Sequence, residues 1–379
     1  MLGYPLGVLS AAGGRPARYL ALLDRMVAVG PQHAIQHRRL TRRLSSLGSA
    51  PDDAIYGPIW REAAAELGAQ VLERPGGYLE IRGEGVLTRV RYHRTPLDDA
   101  STWALCLDKP LVHERLVAAG VPVPAHLEFT LGGIEAARQF LRNASGPVIV
   151  KPASGTSSGA GVTGGVRSAP DLVRAAVNAA RFGRRLLVEQ HAAGDMYRIL
   201  LLDGEPLDLL RRNPPRLRGD GRSTIRDLVV AENRRRLAAC GRNGFLFLKI
   251  DLDSDIALRR AGYTPRSVPL AGKSVTLKSS SSEAGPEDNE TMRTRPSEEL
   301  LAEVASAAAA IGVRLAGVDI ITGDLSRGLR EAGGFVIEVN CPAGLHYHYQ
   351  VRDPERATRV AVPVLRAALD DAKMGRTSQ

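Results

Sequence analysis

The stretch Gly333-Gly334-Phe335-Val336-Ile337-Glu338-Val339-Asn340-Cys341-Pro342-Ala343-Gly344 is the one around which the chain can be organised. Phe335, Val336, Ile337 and Val339 favour a strand, and Pro342 and Gly344 stop it. Side chains alternate faces along a strand, so Glu338 and Asn340 point the same way. A carboxylate and an amide oxygen on one face, just before a turn, suit a hard cation such as Mg²⁺, which takes oxygen ligands and shares them with phosphates. Read alone, the pair is equally one polar face of a solvated strand. What decides between these readings is whether the other parts of a phosphate-handling site occur elsewhere in the chain.

With 379 residues the chain exceeds one ordinary core, and two or three packed units are expected. The 44% hydrophobic content supports a globular protein, and the formal net charge of +10 suits an anionic partner. An arginine-rich solvated surface accounts for such a charge equally well. Cys106, Cys240 and Cys341 are odd in number and widely spaced, without disulfide or zinc spacing, which fits a reducing compartment. The first residues lack a basic n-region and an apolar h-region, and no window approaches the roughly 20 apolar residues of a membrane span. The expected location is cytoplasmic.

In the first hundred residues, 19–29 has helical spacing and ends at Gly30, and the arginines of 38–43 read as a solvated face. Residues 59–67 read as a helix and 70–72 as a short strand. Residues 78–82 and 86–92 alternate apolar and polar around Gly83 and Gly85, as a hairpin does. No catalytic chemistry is visible there.

From Asp108 the pattern changes. Lys109 precedes an amphipathic helix that closes at Gly120. Residues 147–151 form a short buried strand ending in Lys151, which runs into Ala153-Ser154-Gly155-Thr156-Ser157-Ser158-Gly159-Ala160-Gly161. Such a loop lets backbone N–H groups and hydroxyls close around phosphate oxygens. It lacks the Gly-Lys-Ser/Thr of a Walker loop and a clean G-x-G-x-x-G at a helix start. Residues 185–191 make a second buried strand ending in Glu189, Gln190 and His191, and a hairpin turns at Asp203-Gly204. A turn and a helix follow from 217, and Lys249-Ile250-Asp251 reads as a further strand.

Lys151-Pro152, the Ser/Gly loop, Val188-Glu189-Gln190, Tyr197-Arg198-Ile199-Leu200, Gly219-Asp220-Gly221-Arg222-Ser223-Thr224-Ile225, Lys249-Ile250-Asp251, Ala316-Gly317-Val318-Asp319 and Glu338-Val339-Asn340 occur in this order. The series resembles the ATP-grasp ligase superfamily, nearest to the ATP-grasp module of cyanophycin synthetase and related amino-acid and peptide ligases, over about 105–350. The resemblance implies an α+β fold in which two lobes sandwich ATP. It implies a small N-terminal α/β domain at 1–104 and an ATP-grasp domain at 105–379, the latter divided into a lid lobe (105–195) and a metal lobe (196–379).

It also implies roles. Lys109 and Lys151 match the lysines that touch ATP, and Ser154, Gly155, Thr156, Ser157, Ser158, Gly159 and Gly161 match the loop that covers its phosphates. Glu189 and Gln190 match the hinge that reads adenine, and Asp195 stands near the usual ribose ligand, one residue earlier than in relatives. Asp319, Glu338 and Asn340 match the ligands of Mg²⁺, with Mn²⁺ as the alternative ion. Arg198 matches an arginine reaching toward the phosphoryl or substrate carboxylate, and Lys249 a basic residue near the nucleotide.

The expected activity is ATP-dependent ligation of a small carboxylate to an amine, an amino acid or short peptide, through an acyl phosphate with release of ADP. The alternatives are another acceptor in the same fold and a basic polyanion binder. No nucleic acid or membrane partner is expected, and a homodimer is left open. The 379 residues hold no counterpart of the Mur-ligase-like half of cyanophycin synthetase, so polymer synthesis is not carried over. His346 and His348 are candidates for substrate contact, Cys341 reads as packing, Arg211-Arg212 and 234–236 read as solvated faces or recruiters of an acidic substrate, and the C-terminal helix is expected to close the lobe.

Overall fold

The computed structural model describes residues 50–156, 159–238 and 247–375. The helix expected at 19–29, the arginines of 38–43, Ser157, Ser158 and Cys240 lie outside the described residues. In chain order the elements are α1 (Ala50–Glu66), β1 (Gln70–Arg74), β2 (Tyr78–Gly83), β3 (Val86–Arg91), α2 (Ala100–Cys106), α3 (Lys109–Ala118), β4 (His126–Phe129), α4 (Ile134–Asn143), β5 (Val148–Pro152), β6 (Thr163–Val166), α5 (Ala169–Ala179) and β7 (Leu186–Gln190). Then come β8 (Asp195–Leu202), β9 (Glu205–Arg212), β10 (Arg216–Arg218), α6 (Ile225–Ala238), α7 (Leu252–Arg260), β11 (Ser274–Thr276), β12 (Asn289–Thr291), α8 (Glu298–Ile311), β13 (Leu315–Thr322), β14 (Phe335–Asn340) and α9 (Ala361–Lys373).

Two antiparallel sheets frame the molecule. The lid sheet has the order β4-β7-β5-β6 and buries Val148, Val150, Leu186 and Val188 with Leu172 and Ala176 of α5. The floor sheet has the order β12-β9-β8-β13-β14, every neighbouring pair antiparallel. Its alternation decides which residues face the cleft. Tyr197, Ile199, Ala316, Val318 and Val339 turn toward Val112 and Leu116 of α3 and Leu300, Val304 and Ala308 of α8. Their neighbours in the strands, Arg198, Asp319, Glu338 and Asn340, therefore project from the other face. A bulge between Asp319 and Ile320 pairs Glu338 with Asp319 but Val336 with Ile320. The extra residue lets Val336 and Val339, three apart, both serve the core.

The helix of α3 was assigned from sequence to the lid lobe, but its apolar face packs in the core of the floor sheet. α9 likewise joins the N-terminal unit: Val364, Leu365 and Leu369 lie in one core with Trp60, Leu79 and Ile81. That core continues into the floor through Leu200, Leu315, Ala343 and Leu345, so the N-terminal unit covers one end of the cleft face. The expected strand at Lys249 is extended chain without a ladder partner. Its backbone is satisfied by side chains instead, Leu248 N–H donating to Asn233 (2.8 Å) and Lys249 N–H to Glu283 (2.8 Å).

Leu200, fully buried where the N-terminal unit meets the floor, is expected to cost about 2–5 kcal/mol when replaced by alanine, read from urea midpoints. Near-unchanged stability would deny the shared core. Asp288, on the turn before β12, has its carboxyl pushed up to about 6 by burial, ahead of a favourable Gly285 N–H bond. A raised folded value means that its contribution to stability is present below about pH 4 and lost as pH rises through 6. Asp288→Asn should remove that loss, up to about 3 kcal/mol at neutral pH and nothing at pH 4, in paired melts across pH.

Candidate active site

One row across the floor sheet carries the chemistry. Glu338 on β14 stands opposite Asp319 on β13, which stands opposite Arg198 on β8. Arg198 donates from Nε to Asp319 Oδ1 at 2.7 Å and from a terminal nitrogen to Oδ2 at 2.6 Å. Both side chains are buried, so the pair is a bidentate ion pair away from bulk water. Burial would push the guanidinium down, yet the charge and hydrogen bonds of Asp319 hold it above its usual value. Asn340, two residues beyond Glu338, donates to Asp319 Oδ2 (3.1 Å) and to the Gly317 carbonyl (3.0 Å).

Two carboxylates directly opposite on neighbouring strands repel unless positive charge lies between them. Arg198 supplies part of it, and Lys109 more: its charge and that of Glu338 feel one another across the cleft. Burial is the largest influence on Lys109 and pushes its ammonium down from the usual lysine range. The oxygens of Asp319 and Glu338 with the Asn340 amide are hard donors on one face, a set that fits a divalent cation shared with phosphate. Among the described residues there is no cluster of three or more His, Cys, Asp and Glu side chains that could hold a metal by themselves. An ion held there would draw its further ligands from bound substrate or solvent.

The lid contributes the rest. Lys151 on β5 pairs with Glu189 on the neighbouring β7 at 2.7 Å, both buried. Lys109 reaches the carbonyl of Thr156 (3.2 Å), and Gly155 N–H donates to the Leu107 carbonyl (3.2 Å), tying the glycine loop to the start of α3. The far side of that loop meets the serine run of 279–282. A Cβ on Gly159 would lie 2.2 Å from Ser282 Oγ, and one on Gly164 2.3 Å from Ser279 Oγ. Only glycine permits this approach, and Gly159 also has φ +68°. Ser281 in turn donates to the Met196 sulfur at 2.9 Å, which brings the serine run onto the floor.

Thus Lys109, Lys151, Glu189, Arg198, Asp319, Glu338 and Asn340 gather around one cleft with Ser154, Gly155, Thr156, Gly159 and Gly161 at its lip, and Gln190 half-buried where the lid chain leaves toward β8. Asp195 does not join them. Three residues from Arg198, it lies on the helix-covered face and pairs with Arg211 at 2.7 Å. Lys249 pairs with Glu283 (3.1 Å), next in the chain to the serine run that meets the glycine loop, beside the buried bridge of Lys278 to Asp251 (2.6 Å).

Other readings change with the structure. Arg212 and Arg236 are buried, not solvated: Arg236 binds Glu232, while Arg212 lies under the Tyr347 ring, 4.1 Å from its centroid. The strand period could have found Arg212, since 208, 210 and 212 alternate with the core residue Leu209. His348 donates from Nδ1 to Asp208 at 2.6 Å, and His346 shares a 2.5 Å bond with the Tyr56 hydroxyl. His113, invisible as a site residue in the sequence, is driven to about 3 by burial beside Lys151 and stays neutral at physiological pH. Cys341 is a buried thiol pushed up by its bond to Cys106 and by burial, as a packing residue would be.

Two antiparallel sheet lobes, a glycine loop between them and carboxylates on the floor make an α+β chain, as the sequence implied. The chain is 34% identical over 249 residues to cyanophycin synthetase of Trichormus variabilis, covering 64% of this chain and 27% of that protein. It is 27% identical over 285 residues to the glutathione biosynthesis bifunctional protein GshAB of Enterococcus faecalis, covering 74% of this chain and 37% of the relative. A bifunctional glutathione synthetase structure from Pasteurella multocida aligns over 80% of this chain and 41% of its own, at 23% identity and a TM-score of 0.49. No protein-family model matches. The chain is a sequence relative of proteins named cyanophycin synthetase and glutathione biosynthesis protein, and it spans less than a third of the length of the cyanophycin synthetase it matches.

Removing one member of the buried pair should cost more than removing both. Arg198→Met alone leaves Asp319 uncompensated and is expected to cost about 3–5 kcal/mol. Adding Asp319→Leu should restore part of that loss. Additivity of the two single changes within about 0.5 kcal/mol in urea titrations would rule out the coupling.

Proposed function

We propose that the chain is an ATP-dependent carboxylate–amine ligase that forms an amide or peptide bond and releases ADP and phosphate. The observation that carries this reading is the row Arg198–Asp319–Glu338 with Asn340, facing Lys109 beneath a glycine loop. The likeness to proteins named cyanophycin synthetase and glutathione biosynthesis protein supports it.

A carboxylate is a poor acyl donor because oxide would have to leave. In the first step one of its oxygens attacks the γ-phosphorus of ATP, the bond to the β–γ bridging oxygen breaks, and ADP departs. In the second step an amine attacks the acyl carbon, phosphate leaves with the electron pair, and the amine proton is lost to solvent or a base. Both steps need positioning and neutralisation of spreading charge rather than a nucleophilic side chain. Lys109, Lys151 and the loop amides of Gly159 and Gly161 hold phosphate oxygens. Arg198 keeps a terminal nitrogen that Asp319 does not occupy, a donor for the developing oxyanion. Glu338, Asp319 and Asn340 would hold Mg²⁺, which when bound would supply charge neutralisation for the transferring phosphoryl group. Gln190, with the backbone beside it, lines the adenine end, and Glu189 orients Lys151.

Purified protein should release ADP only when an acid and an amine are both present, with a product mass equal to their sum less water. An ADP-release screen over the twenty amino acids and glycyl dipeptides, with amine, thiol and hydroxyl acceptors, checks this. ADP release with no acid in that screen would sink the ligase reading. Glu338→Ala should lower kcat about 10²–10³-fold or more and keep the circular dichroism of the parent. Near-parental turnover would remove Glu338 from the ion site.

A further inference from the structure

Arg212 is a buried cation on the cleft face that the reaction scheme does not use. Its strand alternates Asp208, Leu210 and Arg212 toward the cleft, so it projects from the same face as Arg198 and Asp319. It stands two strands from Asp319, about 10 Å along the floor. The residue is 4% exposed, and among the described residues no carboxylate lies within ion-pair distance of it. Arg198 is answered by Asp319, and Arg211 next door by Asp195. A buried guanidinium without a counter-charge is expensive unless something else supplies one.

The surroundings are built to receive a polar group. The Tyr347 ring stacks on Arg212 at 4.1 Å and on Arg198 at 5.0 Å, holding the two cations on one platform. Asn289, on the adjoining edge strand, is directly opposite Arg212, and Thr291 is opposite Leu210. Four buried polar atoms in this corner have no partner: Arg212 Nε, Asn289 Oδ1, Thr291 Oγ1 and His348 Nε2. His348 is held there by Asp208, which also accepts from Thr358 (2.8 Å). Unpartnered donors and acceptors side by side on a floor strand are what an occupant with both kinds of group would satisfy.

We propose that Arg212, on its Tyr347 platform and opposite Asn289, binds a carboxylate of a substrate that is not the carboxylate being activated. The reacting carboxyl belongs beside Glu338 and Asp319, two strands away, so the Arg212 carboxylate is a second one. It is either the free carboxylate of an amino-acid acceptor or the spare one of a dicarboxylic or peptidic donor. This rests on the ligase reading and narrows it: at least one substrate is an amino acid, peptide or diacid, not a simple monoacid and amine.

The test is Arg212→Met, with Arg212→Lys as the conservative control. Loss of a buried, uncompensated cation should raise the Tm of the substrate-free protein by roughly 2–5 °C. In the ADP-release assay, with the best acid–amine pair from the amino-acid and glycyl-dipeptide screen, KM should rise about 100-fold or more for one of the two. KM for ATP should stay within about twofold, and Arg212→Lys should recover part of the loss. Which KM moves tells donor from acceptor. Amidating that substrate's spare carboxylate should erase the difference between parent and variant.

A lower Tm would make Arg212 a structural residue, and an unchanged KM for both substrates, or a raised KM for ATP, would overturn the subsite. Should the parent release no ADP with any acid, the ligase reading falls by itself. The same panel is then titrated by thermal shift. Stabilisation of the parent by an acid that Arg212→Met does not feel keeps the subsite, and stabilisation by none removes it.

Discussion

The cleft depends on one buried ion pair. Arg198 and Asp319 lock β8 to β13 with two parallel hydrogen bonds, and Asn340 adds β14 to the same carboxylate. Desolvating two charges is costly, and the fork geometry of guanidinium on carboxylate is what makes it tolerable. Because the pair spans neighbouring strands, the floor cannot shift register without stranding a charge. Glu338 then sits opposite Asp319 as a second carboxylate whose own repulsion asks for a cation.

Everything above the floor is arranged to approach that row closely. Gly159 and Gly164 let the lid's chain come within touching distance of Ser282 and Ser279, which no side chain at those places would allow. Arg185 bonds both Glu128 on the lid and Asp108 at the start of α3, so the lobe carrying Lys151 is fastened to the helix carrying Lys109. From the other end the N-terminal unit covers Leu200 and Leu345 and sends Tyr56 to His346. The site is thus bounded on one side by apolar packing and on the other by a glycine and serine seam.

Much of this was legible residue by residue. The strand at Phe335–Asn340, the glycine loop after Lys151 and the β8–β9 hairpin follow from local patterns, and the structure has them. Asp195 stands one residue earlier than the acid of relatives, and an odd spacing of three on a strand puts it and Arg198 on opposite faces. Lys249 misled because alternating Leu248 and Ile250 looks like a strand, while the backbone there bonds to Asn233 and Glu283 side chains instead of a ladder. Arg212 was read as a solvated arginine because its neighbour Arg211 is one. Only the closure of β12 and Tyr347 over it decides its burial.

By itself, the sequence determined the types and order of the elements and the residues able to handle phosphate, since these rest on side-chain chemistry and on periods of two and 3.6 residues. It could not determine which side chains would share a charge. That Lys151 is answered by Glu189, Arg198 by Asp319, and Arg212 by no carboxylate of the described chain depends on which strands lie side by side. Strand adjacency joins residues more than a hundred positions apart, as Arg198 and Asp319 are. It is set by the summed burial of two sheets and their helices, a quantity that no local stretch contains.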